Sequence, residues 1–152
     1  MKKTINLKKC DFSYREFSDQ ESILHDKWLS KISLNGNILT IEYNDIQTDE
    51  DTVGIDLYNQ FKDYKRFTVT YDIMDIDYFN WNYVDEQFSF NKRNHYKGKR
   101  RKITDALDKL NNEINSGWLC FITNKISWNG IIIVLNKYDI HLQVTEITYN
   151  WE

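Results

Sequence analysis

Residues 27–44 carry the strongest local signal in the chain, because two runs of alternating apolar and polar residues flank Asn35-Gly36. A type I′ turn needs positive φ at both central residues, and an Asn-Gly pair tolerates this conformation well. The pattern therefore predicts a β-hairpin. A turn at Asn35-Gly36 would pair Ile32 with Leu39, whereas a turn at Gly36-Asn37 would pair Ile32 with Ile41. Both alternatives bury the same apolar residues, and a slip by one residue would bury the polar ones.

Other stretches predict further strands and one helix. Alternation predicts strands at Phe67–Ile73 and 79–83, and a strand–turn pattern continues from residue 118 to residue 135, with turns at Asn124-Lys125 and Asn129-Gly130. In the last strand the apolar parity switches near Thr145-Glu146, which is typical of a β-bulge. Apolar residues with helical spacing predict an amphipathic helix over about 103–116: Ile103, Leu107, Leu110 and Ile114.

Composition supports a strand-rich fold. The chain has five Trp, ten Tyr and eight Phe but no proline, and aromatic residues favour strands. We expect residues 1–152 to form a single α+β domain, a mostly antiparallel β-sheet with the amphipathic helix packed on it. The parity of the apolar residues predicts one core, made of Trp28, Ile32, Leu39, Ile41, Phe67, Val69, Tyr71, Leu107, Leu110, Ile114, Phe121, Ile132 and Val134.

The sequence lacks the usual export and membrane signals. The N-terminal residues 1–7 are followed by charged residues instead of an apolar core, so they do not form a signal peptide. The longest apolar run, Ile131–Leu135, is too short to span a bilayer. We therefore expect a cytoplasmic protein.

Charge is unevenly distributed along the chain. Residues 42–86 hold twelve acidic residues against three basic ones, a net charge of −9. Such a surface suits recognition of a basic protein, because complementary fields steer association. The alternative is that these acids are a solvated face that balances the basic segment. We expect the partner-binding residues to be Asp49, Glu50, Asp51, Asp72, Asp75 and Asp77, with Trp81 and Tyr83 as aromatic anchors.

The basic segment 91–102 holds seven Lys or Arg residues and no acid. Such a run can contact phosphates, and this makes nucleic-acid binding the alternative function. Against it stand the net charge of −3 and the sequence pI near 5.6, since nucleic-acid-binding domains are usually basic. The run could equally be a solvated loop or fold back onto the acidic segment. The residues that would bind nucleic acid are Lys97, Lys99, Arg100, Arg101 and Lys102.

No motif predicts catalysis. His25-Asp26 has the composition of a metal-binding dyad, but such sites need further His and Asp ligands, and the pair more simply bonds the local backbone before a strand. The sequence contains no serine elbow, zinc signature, Walker loop or dinucleotide fingerprint. We therefore expect no catalytic residue, no metal site and no cofactor.

The segment around the hairpin resembles a motif of bacterial polymorphic-toxin immunity proteins. It consists of Leu24-His25-Asp26, then Leu29 and Ile32 before a turn, and Leu39–Tyr43 after it. The resemblance covers about twenty residues. It implies a small, cytoplasmic, non-enzymatic α+β protein that inhibits a toxin. We expect an inhibitor of this type, which binds a basic partner through an acidic, aromatic-rich surface.

Overall fold

The computed structural model describes residues 1–7, 22–44, 49–74, 79–83, 103–117, 119–127 and 130–152. Strands within these ranges form two antiparallel sheets. The strands are β1 (Lys2–Asn6), β2 (Leu29–Asn35), β3 (Ile38–Asn44), β4 (Arg66–Ile73), β5 (Phe79–Tyr83), β6 (Phe121–Ser127), β7 (Gly130–Leu135), β8 (Tyr138–Leu142) and β9 (Val144–Trp151). The helices with described bounds are α1 (Glu50–Val53), α2 (Ile55–Phe61) and α3 (Ile103–Asn115), and residues 22–24 are also helical. The α+β prediction is confirmed.

The first sheet has the strand order β1-β9-β4-β3-β2 and contains the predicted hairpin. Asn35 pairs with Ile38, so Gly36 and Asn37 occupy the turn, which is the second of the two alternatives. Among these residues only Gly36 has a positive φ, of 58°. The turn therefore has the character of type II′, with glycine at its first central position, and the predicted type I′ is wrong.

Trp28 is not part of the core, contrary to the prediction. The register of β2 shifts between Leu29 and Lys31, so that Ser30 is an extra, bulged residue. Since side-chain direction alternates along a strand, the bulge reverses the parity before it. Leu29 is consequently buried opposite Tyr43, and Trp28 is 52% exposed.

One face of the first sheet lines the core. Its aromatic residues pack closely at one end. There the ring centroid of Trp151 lies 4.0 Å from the ring centroid of Phe67 and 4.3 Å from that of Phe61 in α2. Burying rings of this size removes a large apolar area from water, and tilted ring pairs add to that gain. The buried residues of this face are Ile5, Leu29, Ile32, Leu39, Ile41, Tyr43, Phe67, Val69, Tyr71, Ile73, Ile147, Tyr149 and Trp151.

The second sheet has the order β5-β8-β7-β6 and corrects two predictions. β6 runs unbroken through Asn124, so the turn predicted at Asn124-Lys125 does not exist. Asn124 is buried, and its side-chain amide donates a 3.5 Å hydrogen bond to the Tyr71 hydroxyl of the first sheet. In β7 the core residues are Ile131, Ile133 and Leu135, whereas Ile132, which was predicted to be buried, is half-exposed.

In the described part of the chain, the places where the sheets meet include the β8–β9 connection and the pairing of two short segments. The chain passes from β8 to β9 at Gln143, and Thr145 is the extra residue where Asp72 pairs with Glu146 and Ile73 with Val144, which confirms the predicted bulge. On the other side, the segment 26–29 pairs with 119–121. The buried apolar residues of both sheets form one cluster, except Val134, which is buried but lies outside it, contrary to the prediction.

Helix α3 closes the edge of the first sheet at β2. Ala106, Leu110 and Ile114 are buried, while Leu107 is half-buried. The Asn111 side chain accepts a 3.1 Å hydrogen bond from the Ile32 N–H and donates a 2.8 Å bond to the Ile32 carbonyl. It therefore satisfies two backbone groups that an edge strand leaves open.

Candidate functional site

Residues 49–51, predicted to bind a partner, lie at the start of α1. The Asp49 carboxylate caps this helix, because it accepts 2.8 Å hydrogen bonds from the Thr52 N–H and the Thr52 hydroxyl. These bonds, assisted by the charge of Lys27, lower the pKa of Asp49 below its usual value. Asp49 thus has a structural role. Glu50 and Asp51 are exposed in the first turn, where their negative charges interact favourably with the positive end of the helix dipole.

We call the region formed by residues 25–29 and 49–56 the Trp28 end of the first sheet. Residues 25–29 lead into β2 at the end of the sheet where β3 finishes, with Leu29 opposite Tyr43. The charge of Lys27 acts on Asp49, so residues 49–56 begin near the same end. Trp28 and Ile55 are large apolar residues that remain exposed here, by 52% and 49%. Exposed acids surround them in sequence: Asp26, Glu50, Asp51 and Asp56. This end therefore combines negative charge with accessible apolar surface.

The His25-Asp26 pair belongs to this end. The Asp26 Oδ2 atom lies 3.0 Å from His25 Nδ1, and the two side chains are 71% and 55% exposed. Asp26 adopts a positive φ of 63°, and its N–H donates a 2.8 Å hydrogen bond to the Phe121 carbonyl. Aspartate is one of the residues that tolerate this backbone conformation. The contact between the two side chains was not predicted, since the sequence suggested bonds to the local backbone.

We call the residues Ile38, Asp72, Met74 and Glu146 the Asp72 end of the first sheet. Asp72 pairs with Ile38 on one side and with Glu146 on the other. Two carboxylates directly opposite each other repel, and within the described ranges neither forms an ion pair with a basic side chain. Ile38 and Met74 are 38% and 58% exposed.

The structure does not bring the predicted acidic residues together on one surface. The two ends are separated by the length of β3, roughly 20 Å for seven residues at about 3.3 Å each. Asp49, Glu50 and Asp51 lie at one end, and Asp72 lies at the other. Asp75 and Asp77 lie outside the described residues, as does the whole basic set Lys97, Lys99, Arg100, Arg101 and Lys102.

The predicted aromatic anchors lie in β5. The register places Trp81 opposite Ile140 and Tyr83 opposite Tyr138. Both of these β8 residues are fully buried members of the core. Among the side chains whose burial is described, the exposed aromatic residue is Trp28, which the hairpin pattern had placed in the core.

Sequence reasoning missed several residues of these surfaces, among them Trp28 and Glu146. Trp28 could have been found only by recognising the bulge at Ser30, and no glycine marks that position. Glu146 comes beside Asp72 through pairing between strands that are more than seventy residues apart, a register that local pattern does not determine. The predicted bulge at Thr145 was the one sequence feature that constrained the register between β4 and β9.

Within the described ranges, no group of three or more His, Cys, Asp or Glu side chains is arranged to hold a metal ion. None of the described helices has the length and apolar character needed to cross a bilayer. In comparisons with known proteins, no family model, no curated protein and no solved structure matches the chain.

Proposed function

We propose that the protein is a cytoplasmic, non-enzymatic inhibitor of the immunity type, which binds a basic protein partner at the Trp28 end. The observation that carries the proposal is the exposure of Trp28. Among the Trp, Tyr and Phe side chains whose burial the structure describes, only this one is exposed. Tryptophan is one of the residue types enriched in interface hot spots. It also lies within the stretch that resembles the immunity-protein motif.

Charge supports a basic partner. Asp26, Glu50, Asp51 and Asp56 are exposed at this end, and the basic residues near them include Lys27, whose charge acts on Asp49, and the exposed Arg66, which pairs with Asn44 at the end of β3. An excess of negative charge around an apolar anchor accelerates the capture of a cationic surface, and salt weakens the effect. The acids would then set the association rate, while Trp28 would set the lifetime of the complex.

The Asp72 end is the competing surface. It carries the carboxylates of Asp72 and Glu146 beside exposed apolar residues, but it offers no aromatic anchor among the described side chains. Single exposed aliphatic residues are common on protein surfaces. We therefore assign the partner to the Trp28 end and use the Asp72 end as the control.

The test begins with affinity capture from a native lysate, followed by association kinetics with the captured protein. We expect to capture a stoichiometric basic protein, and Met74→Ala should still bind it. Trp28→Ala should lower the affinity at least tenfold or abolish binding, mainly through a faster dissociation rate. The double variant Glu50→Lys with Asp51→Lys should lower the association rate and flatten its salt dependence, while Asp49 is kept so that α1 retains its cap.

Two outcomes would contradict the proposal. If Trp28→Ala bound the partner as tightly as the parent while Met74→Ala lost it, the interface would lie at the Asp72 end. If capture depended on nucleic acid and disappeared after nuclease treatment, the alternative function of the basic segment 91–102 would be favoured. In that case, binding should be abolished by replacing all five basic residues with glutamine: Lys97, Lys99, Arg100, Arg101 and Lys102. Each single replacement should reduce the slope of log K against log salt concentration by about one per lost phosphate contact.

A further inference from the structure

The extra residue of β2, Ser30, is tied to the neighbouring strand by its side chain. Leu29 pairs with Tyr43 and Lys31 pairs with Glu42, which leaves Ser30 between two consecutive positions of β3. The Ser30 hydroxyl donates a 2.9 Å hydrogen bond to the Glu42 carbonyl. Serine forms such bonds to nearby backbone readily, because its short side chain keeps the hydroxyl close to the chain. The bond fixes the extra residue in the bulge.

A regular ladder through Ser30 is the arrangement that the bulge replaces. In that ladder Ser30 would take the place of Leu29 opposite Tyr43 and face the core. Because side-chain direction alternates along a strand, Leu29 would then face outward and Trp28 inward. The structure has the opposite order, with Leu29 5% exposed and Trp28 52% exposed. The two arrangements therefore differ in which of two adjacent side chains reaches the surface.

Apolar burial alone favours the regular ladder. It would bury the indole of Trp28 in exchange for the smaller side chain of Leu29, and a large ring removes more apolar area from water. The regular ladder would also move the Ser30 hydroxyl into the apolar core, which costs free energy unless a new hydrogen bond forms there. In the bulge this hydroxyl is half-exposed and bonded to the Glu42 carbonyl. The serine side chain thus opposes the burial of Trp28.

Pairing with the second sheet is consistent with the bulged register. The Leu29 N–H donates a 3.1 Å hydrogen bond to the Leu119 carbonyl, and Trp28 lies opposite Cys120. Side chains of directly opposite residues lie on the same face of an antiparallel pair. Leu119 is buried and Cys120 is half-exposed, as Leu29 is buried and Trp28 exposed. A regular ladder at Ser30 would therefore require this pairing to slip by one residue.

We propose that Ser30 is a positioning residue that turns Trp28 outward and so creates the exposed aromatic anchor. Its hydroxyl stabilises the bulge, and the bulge exchanges Leu29 for Trp28 at the surface. The inference rests on the proposed function for the use of the exposed ring in binding. The control of ring direction by Ser30 is a property of the isolated chain and is tested without a partner.

The experiment is hydroxyl-radical footprinting of the isolated protein, in which peptide mass spectrometry measures the oxidation rate of each side chain. Ser30→Val removes the hydroxyl and supplies a side chain suited to the core. We expect the Trp28 rate to fall roughly tenfold, as its exposure goes from 52% to a value like the 5% of Leu29, and the Leu29 rate to rise. A variant that merely loosened the fold would raise both rates, so the reciprocal change identifies positioning.

Matched variants separate the hydroxyl from the size of the side chain. Ser30→Thr has the shape of Ser30→Val but retains the hydroxyl, and it should react like the parent. Ser33→Val introduces the same side chain at a half-exposed, regularly paired position of β2, and it should leave the Trp28 and Leu29 rates unchanged. Deletion of Ser30 removes the extra residue itself, so Leu29 stays opposite Tyr43 in a regular ladder and Trp28 stays exposed.

Ser30→Ala keeps the proposal testable if Ser30→Val fails to fold. It removes only the hydroxyl, and it should change both rates in the same directions as Ser30→Val by a smaller factor. An unchanged Trp28 rate in the folded Ser30→Val and Ser30→Ala variants would overturn the proposal, because the pairing with residues 119–121 would then suffice to hold Trp28 outward. Burial of Trp28 in Ser30→Thr or after deletion of Ser30 would also overturn it.

Partner binding distinguishes this inference from the proposed function. Ser30→Val should weaken capture of the partner as Trp28→Ala does, and Ser30→Thr should restore it. If the rates change reciprocally but Trp28→Ala binds the partner like the parent, the proposed function fails and the positioning by Ser30 stands. If Trp28→Ala loses the partner but the rates do not change in Ser30→Val, the positioning fails and the proposed function stands.

Discussion

The two sheets differ in how far the face that points away from the core cluster is buried. In β4 of the first sheet the inward residues, such as Phe67 and Val69, are fully buried, and the residues between them are half-exposed. In β7 of the second sheet, Ile133 lies in the core cluster, but its neighbour Val134 is also only 1% exposed. A strand that is buried on both faces loses its alternation and becomes a continuous apolar run. Alternation of apolar and polar residues thus indicates that one face of a strand is exposed. A continuous apolar run indicates that both faces are covered.

The largest effect should come from an adjacent pair in β3. Leu39 is fully buried, so Leu39→Ala should lower the free energy of unfolding by about 2–5 kcal/mol. Thr40→Ala, on the half-exposed outer face, should change it by no more than about 0.5 kcal/mol. Urea unfolding of both variants measures the contrast. Equal losses would mean that the outer face of the first sheet is covered.

The next effect concerns the edge of the first sheet at β2. Asn111→Ala would leave the Ile32 N–H and carbonyl without their side-chain partner, and we expect a loss of about 1–3 kcal/mol. Asn112→Ala is the matched control, because Asn112 is exposed on the same helix. If the two variants unfolded at the same urea concentration, the amide would not stabilise the edge.

In the second sheet, both parities of β7 should matter. Val134→Ala removes two buried methyl groups, which predicts a loss of roughly 1.6 kcal/mol at about 0.8 kcal/mol per group. Val134 alternates with the core residues of β7, as the half-exposed Thr70 alternates with those of β4. Thr70→Ala is therefore the direct comparison. A Val134→Ala variant as stable as the parent would remove the distinction between the two sheets.

The smallest effect is a pH dependence in β8. Burial lowers the pKa of His141 below its usual 6.5, although the charge of Asp139 acts in the opposite direction. The folded protein therefore binds fewer protons at His141 than the unfolded chain does. Its contribution to stability is complete above pH 6.5 and decreases as the pH falls from there through the lowered pKa.

This pH dependence should be reduced in His141→Gln, which removes the titrating ring. Urea unfolding of the parent and the variant is measured between about pH 5 and pH 8, a range that spans the usual pKa of histidine. The effect is modest because His141 remains partly exposed. An identical pH slope in both proteins would place the titrating group elsewhere.

The same contrast explains how much of the fold the sequence predicts. The hairpin, the strand at 67–73, helix α3 and the bulge at Thr145 were predicted correctly, because each has a pattern that follows from one buried face. Ile132 was assigned to the wrong face, since five consecutive apolar residues contain no parity. Asn124 was interpreted as a turn residue, but it is a buried amide that bonds to Tyr71 across the sheets.

The candidate site was less predictable than the fold. The acids at 49–51 were found from composition, yet their separation from Asp72 follows from strand direction and length, which charge counting ignores. Trp28 has the hydrophobicity of a core residue, and only the extra residue Ser30 directs it outward. Non-local register and a single bulge therefore decided which residues are exposed together.

The position of β9 has a consequence for synthesis of the chain. β9 lies between β1 and β4, yet it is made after all the other strands. On the ribosome, β2, β3 and β4 can pair early as neighbours in sequence, but β1 must wait for residues 144–151. Closing so long a loop is slow, and unpaired edges are prone to aggregate meanwhile. The first sheet of the nascent chain therefore cannot be completed until β9 has been made.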